Sequence, residues 1–413
     1  MGILLAAMAC LAYGARRLAA PAGSQAVGIL VVAGLLRVLL LPLPPTLSDD
    51  VLRYVWDGRV TLAGFDPYRL PPEDEALEGL RDELWRRLPH REVPTVYPPL
   101  AVALFSTAAL SPAPVTTLKL LLSAADLAGC WLLLGIARRR GLPEARVALY
   151  AWNPLVVLET AGMGHVDALG CAAAIAAVAW VTLDRPRVRR SAAAAAVAAL
   201  AKLVPLAALP AWARASRRPL LFAGVALAIT LAAAAPVAIA ADGVPPGLVT
   251  YGVSWEFNGP LYEPLWRLLD RVGARERVEE LLDRRKEIDG RHELWNRFYP
   301  FNYPQLLAKL LLAPGLLAAI LWAWRRGRDP VAASGVVFGG LLLFSATVYP
   351  WYLIWVLPWA ALCRQPAWLL LSAAMPLSYL PQLTALPLWP WTFLVIWAPF
   401  WVVLAGRPRW STC

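Results

Sequence analysis

The chain has 413 residues, of which 59% are hydrophobic and only 16% charged, and it contains 20 Trp and 37 Pro. This composition excludes an ordinary soluble domain and predicts a polytopic membrane protein. The formal net charge of +11 lies in short Arg-rich bursts beside apolar segments. Because nucleic-acid-binding proteins usually concentrate positive charge on one continuous face, this distribution argues against a nucleic-acid partner and indicates cytoplasmic anchoring.

The N-terminal apolar segment, residues 3–20, lacks a positively charged start and a convincing cleavage site. We therefore expect it to be a retained span or anchor and not a signal peptide. The five cysteines of the chain have neither the spacing of a disulfide framework nor that of a metal site, so we expect no bound metal.

Further apolar segments follow at short intervals, and most approach the roughly 20 residues that cross a bilayer as a helix. Since backbone polar groups must be satisfied inside hydrocarbon, the predicted fold is an all-α polytopic membrane helical bundle with about 11 to 13 transmembrane helices. The predicted spans are residues 3–20, 26–43, 98–112, 115–137, 145–161, 166–183, 191–212, 219–241, 304–324, 331–348, 352–363, 367–384 and 388–405.

Two polar stretches, residues 44–97 and 242–303, are far longer than a simple connection between helices requires. Each contains leucines at helical spacing, which predicts an amphipathic helix lying on the membrane interface. For residues 262–290 a small helical hairpin outside the membrane is an equally good interpretation. The leucines and valines concerned are Leu77, Leu80, Leu84 and Leu88 in the first stretch, and Leu265, Leu268, Leu269, Val272, Val278, Leu281 and Leu282 in the second.

The Arg bursts predict which segments cross the membrane. If all six segments between the two long loops crossed, the bursts at residues 138–140 and 185–190 would lie outside, against the positive-inside bias. We therefore expect that 98–112, which is short, and 191–212, which is broken at residues 202–205, do not cross fully. Residues 164–167 then lie on the outer side, together with the first long loop.

The first long loop begins with adjacent carboxylates, Asp49 and Asp50. Because Asp is costly in hydrocarbon, a doubled Asp at the end of a span indicates a site at the membrane surface, with a polar helix cap as the structural alternative. Carboxylates beside an Arg suit a reaction in which a hydroxyl loses a proton while a phosphate leaves. Ten further side chains are candidate substrate-binding residues on this side: Arg53, Asp57, Tyr97, His165, Asp167, Lys202, Glu256, Asn258, Tyr349 and Tyr352.

Several of these candidates have a structural alternative. Asp57 could simply pair with Arg53 on the same helix. On a regular helix His165 and Asp167 would point about 200° apart, so either they lie at an irregular helix start or only one faces the site. Lys202 could contact a donor phosphate, or it could be a plain anchor near the cytoplasmic side.

Five motifs resemble bacterial members of the GT-C glycosyltransferase superfamily, relatives of the polyprenyl-phosphate-mannose-dependent mannosyltransferases. They are SDDVLRYVWDGRVTLAGFDPY, YPPL, GHVDAL, KLVPL and YPWYLIW, and the resemblance covers most of residues 26–360. It implies a GT-C fold in one domain over residues 1–413, with the acidic motif in the loop 44–97 and a second extracytoplasmic loop at 242–303.

The same resemblance implies transfer of a hexose, with mannose expected, from a polyprenyl-phosphate donor to a glycan or glycolipid acceptor, with inversion. Asp49 or Asp50 would be the base, and no cofactor or divalent metal is expected. The protein would lie in a bacterial plasma membrane, in contact with lipid, with its site facing outside. A transporter or lipid flippase is the alternative, but outside Arg37, Lys119, Asp126, Glu159 and Lys202 the predicted spans have few ionisable groups to form a path.

Overall fold

The computed structural model describes residues 25–290, 292–296, 302–326, 328–406 and 410. Over these ranges the chain is helical and contains no β-strand, apart from two isolated bridges that join Phe257 and Asn258 to Thr347. The predicted all-α polytopic bundle is thereby confirmed. The predicted span at residues 3–20 lies outside the described residues.

Helices follow one another through the whole described chain, and many are shorter than a membrane span. The α-helices are Ala26–Leu40, Asp50–Leu62, Glu83–Arg86, Pro99–Ala109, Pro114–Arg139, Ala145–Ala151, Pro154–Val157, Asp167–Val181, Val188–Ala201, Leu209–Ala215, Pro219–Ala240, Pro246–Ser254, Tyr262–Arg271, Ala274–Asp289, His292–Asn296, Tyr303–Arg326, Pro330–Phe344, Leu357–Leu362, Pro366–Ala374, Leu380–Leu383 and Phe393–Ala405. The 3₁₀ turns are Glu75–Leu80, Val204–Ala208, Pro350–Trp355 and Met375–Tyr379, and the π turns are Leu158–Gly162 and Leu388–Thr392.

Four of the described helical segments are long and apolar enough to cross a membrane, which makes the chain a multi-pass membrane protein. A fifth span would be a pair of segments bent by 120°, Pro154–Gly162 and Asp167–Val181. This number is smaller than the predicted 11 to 13, because breaks divide many of the apolar segments that the sequence count treated as single spans. The four long segments are Pro114–Arg139, Pro219–Ala240, Tyr303–Arg325 and Leu388–Ala405.

The predicted break at residues 202–205 is present. Helix Val188–Ala201 ends where Lys202 takes an extended conformation, with φ −159° and ψ 141°. Pro205 cannot donate a backbone hydrogen bond, so the chain continues in a 3₁₀ turn, Val204–Ala208. Arg residues from 185–190 and from 217–218 line one cavity of about 510 Å³, so the two ends of this broken segment lie on the same side.

The burst at residues 138–140 lies at that same end of the bundle, since Arg138 and Arg139 line one cavity together with Arg187. Arg140 donates to both carboxylate oxygens of Asp329, at 2.7 and 2.5 Å, which ties the end of helix Pro114–Arg139 to the start of helix Pro330–Phe344. The guanidinium of Arg214 lies 5.3 Å from the ring centre of Trp324. These Arg bursts therefore lie on one side of the bundle, as the positive-inside bias predicts for cytoplasmic anchors.

At the other end, helix Asp50–Leu62 packs closely on helix Pro99–Ala109. A Cβ on Gly58 would lie 2.4 Å from the carbonyl oxygen of Phe105, so only glycine permits this approach. One turn earlier, the ring of Tyr54 stacks on that of Phe105 with centroids 4.4 Å apart. This contact holds the first turn of helix Asp50–Leu62, and with it Asp50, against the bundle.

The predicted amphipathic helix of the first loop is absent. A 3₁₀ turn and a one-turn helix replace it, since Asp74 and Asp82 each accept a hydrogen bond from the turn that follows and so divide the segment. Leu77 and Leu88 are buried in the cluster around helix Asp50–Leu62. The leucines of this stretch therefore pack against protein and not against lipid. The prediction of an interfacial helix here was wrong.

The second loop contains a helical hairpin, which was one of the two interpretations of residues 262–290 from the sequence. Helices Tyr262–Arg271 and Ala274–Asp289 are joined at Gly273, which has a positive φ of 71°. Tyr262 is buried against Ala308 of helix Tyr303–Arg326. The hairpin is thus anchored to a long helix of the bundle by its first member.

Ionisable residues inside the apolar segments are paired with one another or with backbone. Arg37 donates from Nε to Asp126 at 2.9 Å, and Tyr150 donates its hydroxyl to the same carboxylate at 2.5 Å. Lys119 donates to the carbonyl oxygens of Leu41 and Leu43, at 2.8 and 2.6 Å. These groups stabilise fixed contacts and do not line a path through the bundle, which disfavours the transporter alternative.

Candidate active site

A cavity of about 690 Å³ is lined by Lys202, which follows helix Val188–Ala201, whereas the start of that helix lies at the Arg-rich cavity. The larger cavity is therefore at the end of the bundle away from the Arg bursts. Its wall comes from parts of residues 46–53, 89–98, 202–204, 248–255 and 338–355, with residues 382–383 at one edge. The first long loop, the start of the second and the break at Lys202 therefore meet at one place. Of the predicted site residues, the wall contains Asp49, Asp50, Arg53, Tyr97, Lys202, Tyr349 and Tyr352.

Asp49 and Asp50 have different surroundings. Asp49 precedes helix Asp50–Leu62, its side chain is 48% exposed, and it lies 3.4 Å from Arg87. Asp50 is the first residue of the helix and its side chain is 31% exposed. Loss of water contact raises the pKa of Asp50 to about 6, although the positive charge of Lys202 acts in the opposite direction. Asp50 is thus a stronger base than an ordinary aspartate.

His165 lies directly behind Asp50. Gly164, with φ 79°, turns the chain between the π turn Leu158–Gly162 and helix Asp167–Val181, so His165 precedes the regular helix. Its Nδ1 is 3.8 Å from Oδ2 of Asp50, and its ring stacks on Trp351 with centroids 3.9 Å apart. The irregular helix start was one of the two predicted alternatives, and it explains how His165 and Asp167 reach the same region.

Asp167 holds Lys202 at the cavity. Nζ of Lys202 lies 2.8 Å from each carboxylate oxygen of Asp167, and Nε1 of Trp355 donates to that carboxylate at 2.6 Å. Nζ also lies 4.4 Å from the ring centre of Tyr352. The interpretation of Lys202 as an anchor near the cytoplasmic side is therefore wrong, because the break after Ala201 places it at the tip of its segment, opposite the Arg bursts.

Aromatic rings cover one wall of the cavity. Tyr349 stacks on Trp351 with centroids 4.5 Å apart, and Tyr352 lies edge-on to Tyr349 at 5.7 Å. The hydroxyl of Tyr352 shares a hydrogen bond with that of Tyr251, and Trp255 lies 5.5 Å from the ring of Tyr251. Such a wall offers flat apolar faces and hydroxyl groups together, which suits a sugar ring.

Arg53 and Asp57 form the ion pair that the sequence offered as an alternative. Nε of Arg53 donates to Oδ1 of Asp57 at 2.8 Å, and Nη2 donates to the carbonyl oxygen of Val93 at 2.6 Å. Asp57 is buried and is absent from the cavity wall. The pair therefore fastens the first loop to helix Asp50–Leu62, because its hydrogen bonds point into protein. Tyr97 does border the cavity, with its ring edge-on to Tyr54 at 4.9 Å.

The structure does not bring Glu256 and Asn258 to the cavity. Glu256 pairs with Lys309 at 3.0 Å, and the buried Asn258 accepts a hydrogen bond from Nε1 of Trp397 at 2.9 Å. Asn258 also has a positive φ of 55°, a conformation that Asn tolerates better than most residues. Both residues fix the start of the second loop instead, beside the backbone bridge to Thr347.

Several residues at the site were not singled out as site residues from the sequence, among them Glu159, Tyr251, Trp351 and Trp355. Glu159 lies 3.2 Å from Nε2 of His165, and Trp355 and Tyr251 contact predicted site residues as described above. A carboxylate within an apolar segment costs free energy unless it is paired or functional, so the sequence position of Glu159 already marked it as a candidate. Trp355 ends the YPWYLIW motif but was not distinguished from the other aromatic residues, and Tyr251 lies in no such motif; aromatic residues are common throughout membrane proteins.

Within the described ranges, no group of three or more His, Cys, Asp or Glu side chains could hold a metal ion. The expectation that the reaction needs no metal stays a prediction.

Comparison with known proteins identifies the family. Residues 1–218 match the family model described as alpha-(1->6)-mannopyranosyltransferase, N-terminal domain, the MptA_B family. No curated protein matches the chain, and no solved structure does. The matched segment covers more than half of the 413 residues and includes Asp49, Asp50, His165, Asp167 and Lys202. Asp49, Asp50 and Lys202 line one cavity of a multi-pass membrane protein, and His165 and Asp167 lie behind them. By this match the chain belongs to the alpha-(1->6)-mannopyranosyltransferase family and is a mannosyltransferase.

Proposed function

We propose that the cavity transfers mannose from a polyprenyl-phosphate donor to a hydroxyl of a glycan or glycolipid acceptor, with inversion at the anomeric carbon and Asp50 as the base. The observation that carries this proposal is the juxtaposition of Asp50 with Lys202 across one cavity wall that also contains stacked aromatic rings. A base, a cation and a sugar-sized apolar surface are the components that such a transfer needs.

In the proposed reaction, Asp50 removes the proton of the acceptor hydroxyl. The freed electron pair forms the new bond to the anomeric carbon, and the bond from that carbon to the donor phosphate breaks with its electrons on the phosphate oxygen. Asp50 suits this role better than Asp49, because its surroundings raise its pKa to about 6 whereas Asp49 is more exposed and lies beside Arg87. A base with a pKa near the working pH transfers protons efficiently.

Lys202 is the group that we assign to the leaving phosphate. An ammonium has three N–H donors, and Asp167 takes two of those of Lys202. The third is left for a ligand in the cavity, where the face of the Tyr352 ring supports the cation. Because this cation is already fixed by Asp167 and Tyr352, we propose that no divalent metal is required.

The distribution of charge supports an extracytoplasmic site. The Arg bursts lie at the opposite end of the bundle, and positive-inside bias assigns that end to the cytoplasm. The cavity, with the loops 44–97 and 242–303 around it, would then face outward from a bacterial plasma membrane. We treat residues 1–413 as one GT-C-type membrane domain, in which the two loops belong to the same site.

Asp50→Asn tests the proposed base. We expect a loss of about 10³-fold in kcat, because the amide cannot take the proton. Asp49→Asn should stay within about 10-fold of the parent, since the side chain is more exposed and its ion pair with Arg87 contributes little. The purified protein is incubated with a panel of polyprenyl-phosphate sugars and acceptors, with and without a chelator, and mass spectrometry measures released lipid phosphate.

Normal turnover by Asp50→Asn would contradict the proposal. Release of lipid phosphate from a polyprenyl-phosphate donor with another sugar would replace mannose in the proposal, but it would not change the proposed role of Asp50.

A further inference from the structure

The Arg-rich cavity of about 510 Å³ lies far from the candidate active site, and the proposed reaction does not use it. Its wall combines residues at the start of helix Val188–Ala201 with residues at the start of helix Pro219–Ala240. Among the described residues, none in the wall is acidic, and Asp184, which precedes the wall in the chain, is exposed and lies outside it. The arginines of the wall are Arg185, Arg187, Arg189, Arg190, Arg217 and Arg218.

Hydrogen bonds hold the main chain on both sides of this cavity. On one side, the backbone N–H of Arg187 donates to the carbonyl oxygen of Trp180 at 3.1 Å. On the other side, the backbone N–H of Arg218 donates to the hydroxyl of the buried Ser216 at 3.2 Å. The fold therefore fixes where the arginines are attached, although their side chains extend into the opening.

The arrangement of charge in the cavity is unfavourable without a counter-ion. Arginine side chains stay charged at any physiological pH, so six of them around one cavity repel one another. The two helix starts add positive potential, because their first backbone N–H groups have no partner within the helix. Neither start has a side-chain cap or an acidic residue in its first turn. Within the described chain, the six guanidinium groups are in no ion pair. An anion in the cavity would offset both sources of positive potential.

The surface next to the cavity indicates which class of anion fits. Helix Pro219–Ala240 is buried inside the protein over only 11% of its apolar 18-residue window. Leu220, Leu227 and Leu231 are 88%, 57% and 54% exposed, and their spacing of seven and four residues places them on one face. Leu221, directly beside Leu220, lines the cavity. An apolar stripe suited to acyl chains thus begins at the rim of the Arg-rich cavity, and a water-soluble anion would have no use for it.

We propose that the Arg-rich cavity binds the headgroup of an anionic phospholipid, whose acyl chains lie along the stripe Leu220, Leu227 and Leu231. A guanidinium can donate two parallel hydrogen bonds to phosphate oxygens. Basic pockets between membrane helices on the cytoplasmic side are suited to such headgroups. This site is separate from the candidate active site, and the inference does not depend on the proposed function.

The bound lipid would connect two parts of the broken segment. Its phosphate would lie between the start of helix Val188–Ala201 and the start of helix Pro219–Ala240, where residues 188–215 begin and end. Lys202 is at the opposite tip of this segment. The lipid should therefore stabilise the fold that holds Lys202, and it should do so without entering the candidate active site.

Native mass spectrometry of the detergent-purified protein, titrated with phosphatidylglycerol or phosphatidylcholine, tests the inference. We expect phosphatidylglycerol to bind at least about 10-fold more tightly, because phosphatidylcholine has no net charge. The Tm should rise by about 2–5 °C at saturating phosphatidylglycerol, since a ligand that binds only the folded state stabilises it. Inorganic phosphate at the same concentration should neither displace the lipid nor raise the Tm, because it has no acyl chains.

Two triple variants of equal charge separate the cavity from general attraction to anionic lipid. One replaces Arg by Gln at three positions of the wall, and it should weaken phosphatidylglycerol binding by about 100-fold, since each cation near the headgroup contributes roughly 5-fold. The other replaces Arg by Gln at three exposed positions of the hairpin in the second loop, and it should stay within about 3-fold of the parent. The variants are R189Q/R217Q/R218Q and the matched control R271Q/R277Q/R285Q.

A charge-conserving variant keeps the test decisive if the first variant does not fold. R189K/R217K/R218K retains the net charge and the positive-inside signal, but an ammonium lacks the planar fork of a guanidinium. We expect it to weaken phosphatidylglycerol binding by about 3- to 10-fold. Gel filtration of each variant without added lipid reports folding separately. Asp50→Asn should bind phosphatidylglycerol like the parent, whether or not it transfers mannose.

Four results would overturn the inference. Equal binding of the two lipids would exclude a charge-selective site, and parental binding by the folded wall variants would place the lipid elsewhere. An equal loss in the hairpin control would indicate general attraction. Displacement of phosphatidylglycerol by inorganic phosphate would indicate a site for free anions. Loss of binding in Asp50→Asn would place the lipid at the active site and would contradict the separation of the two sites.

Discussion

Asp49 and Asp50 are adjacent in the chain, yet only one of them is integrated into the bundle. The reason is the helix that begins between them: Asp49 stays outside its first turn and points to Arg87, whereas Asp50 belongs to that turn and faces His165. Two identical side chains thereby acquire different surroundings, and loss of water contact raises the pKa of Asp50 to about 6.

The raised pKa of Asp50 predicts the pH dependence of transfer. Because the base must be ionised, kcat/KM should fall as pH decreases through about 6, the pKa of Asp50. The linked effect on stability has the opposite sign: the folded state binds this proton more tightly than the unfolded chain, so stability falls as pH rises from about 4 to about 6. A pH series of initial rates under subsaturating donor measures the first effect.

If kcat/KM instead fell only as the pH decreased through about 4, the range of an ordinary aspartate, the result would contradict the surroundings assigned to Asp50.

At the residue scale, the predicted site residues that the structure brings together are ones whose chemistry is unusual for their position, and their roles stay predictions. Asp50, His165 and Lys202 are ionisable side chains in or beside apolar segments, where burying them costs free energy, and the structure brings them to one region. Glu256 and Asn258 were grouped with them by side of the membrane alone. That criterion does not distinguish a cavity wall from the buried contacts that Lys309 and Trp397 provide.

At the scale of elements, the site depends on how closely two short helices approach. Helix Asp50–Leu62 lies against the backbone of helix Pro99–Ala109 at Gly58, and Asp50 extends from the start of the first helix. Breaks were predicted correctly where proline removes a backbone donor, as after Lys202. The interfacial helix of the first loop was predicted wrongly, because leucine spacing does not tell whether lipid or protein covers the apolar face.

Gly58→Ala tests the helix contact. Its Cβ would lie 2.4 Å from the carbonyl oxygen of Phe105, a backbone atom that cannot rotate away. We expect a loss of about 1–3 kcal/mol in the free energy of unfolding, together with reduced transfer because Asp50 shifts. Thermal unfolding in detergent and the transfer assay measure both effects.

Gly34→Ala is the matched control for this variant. A Cβ there meets nothing within 4 Å, and alanine favours a helix over glycine, so stability should be unchanged or slightly higher. Equal stability of the two variants would argue against a close contact at Gly58.

At the scale of the whole molecule, the Arg bursts and the candidate active site occupy opposite ends of one bundle. The Arg bursts meet at one end, and the cavity with Asp50 lies at the other, connected by helices such as Val188–Ala201. Composition and charge predicted this polarity, since bilayers constrain both helix length and Arg placement. The number of crossings was not predictable, because residues that break a helix inside a bundle do so through contacts with distant segments.

Side-specific labelling tests the polarity. Single cysteines at Arg189 and Arg217 should react with a membrane-impermeant thiol reagent from one side of the membrane, and a cysteine at Glu75 from the other. All three side chains are exposed. The unsubstituted protein, treated in the same vesicles, gives the background from native cysteines. Labelling of positions 189 and 217 from opposite sides would contradict the arrangement.

The break at Lys202 also has a consequence for the second half of the chain. Residues 188–215 leave the Arg-rich end and return to it, so this apolar segment contributes an even number of passes through the membrane. Had the chain continued as a straight helix, every segment after residue 215 would be inverted, and Tyr349 and Tyr352 would lie at the wrong end. The break at Lys202 therefore sets whether the number of membrane passes before residue 215 is even or odd. The even number places Tyr349 and Tyr352 at the same end of the bundle as Asp49 and Asp50.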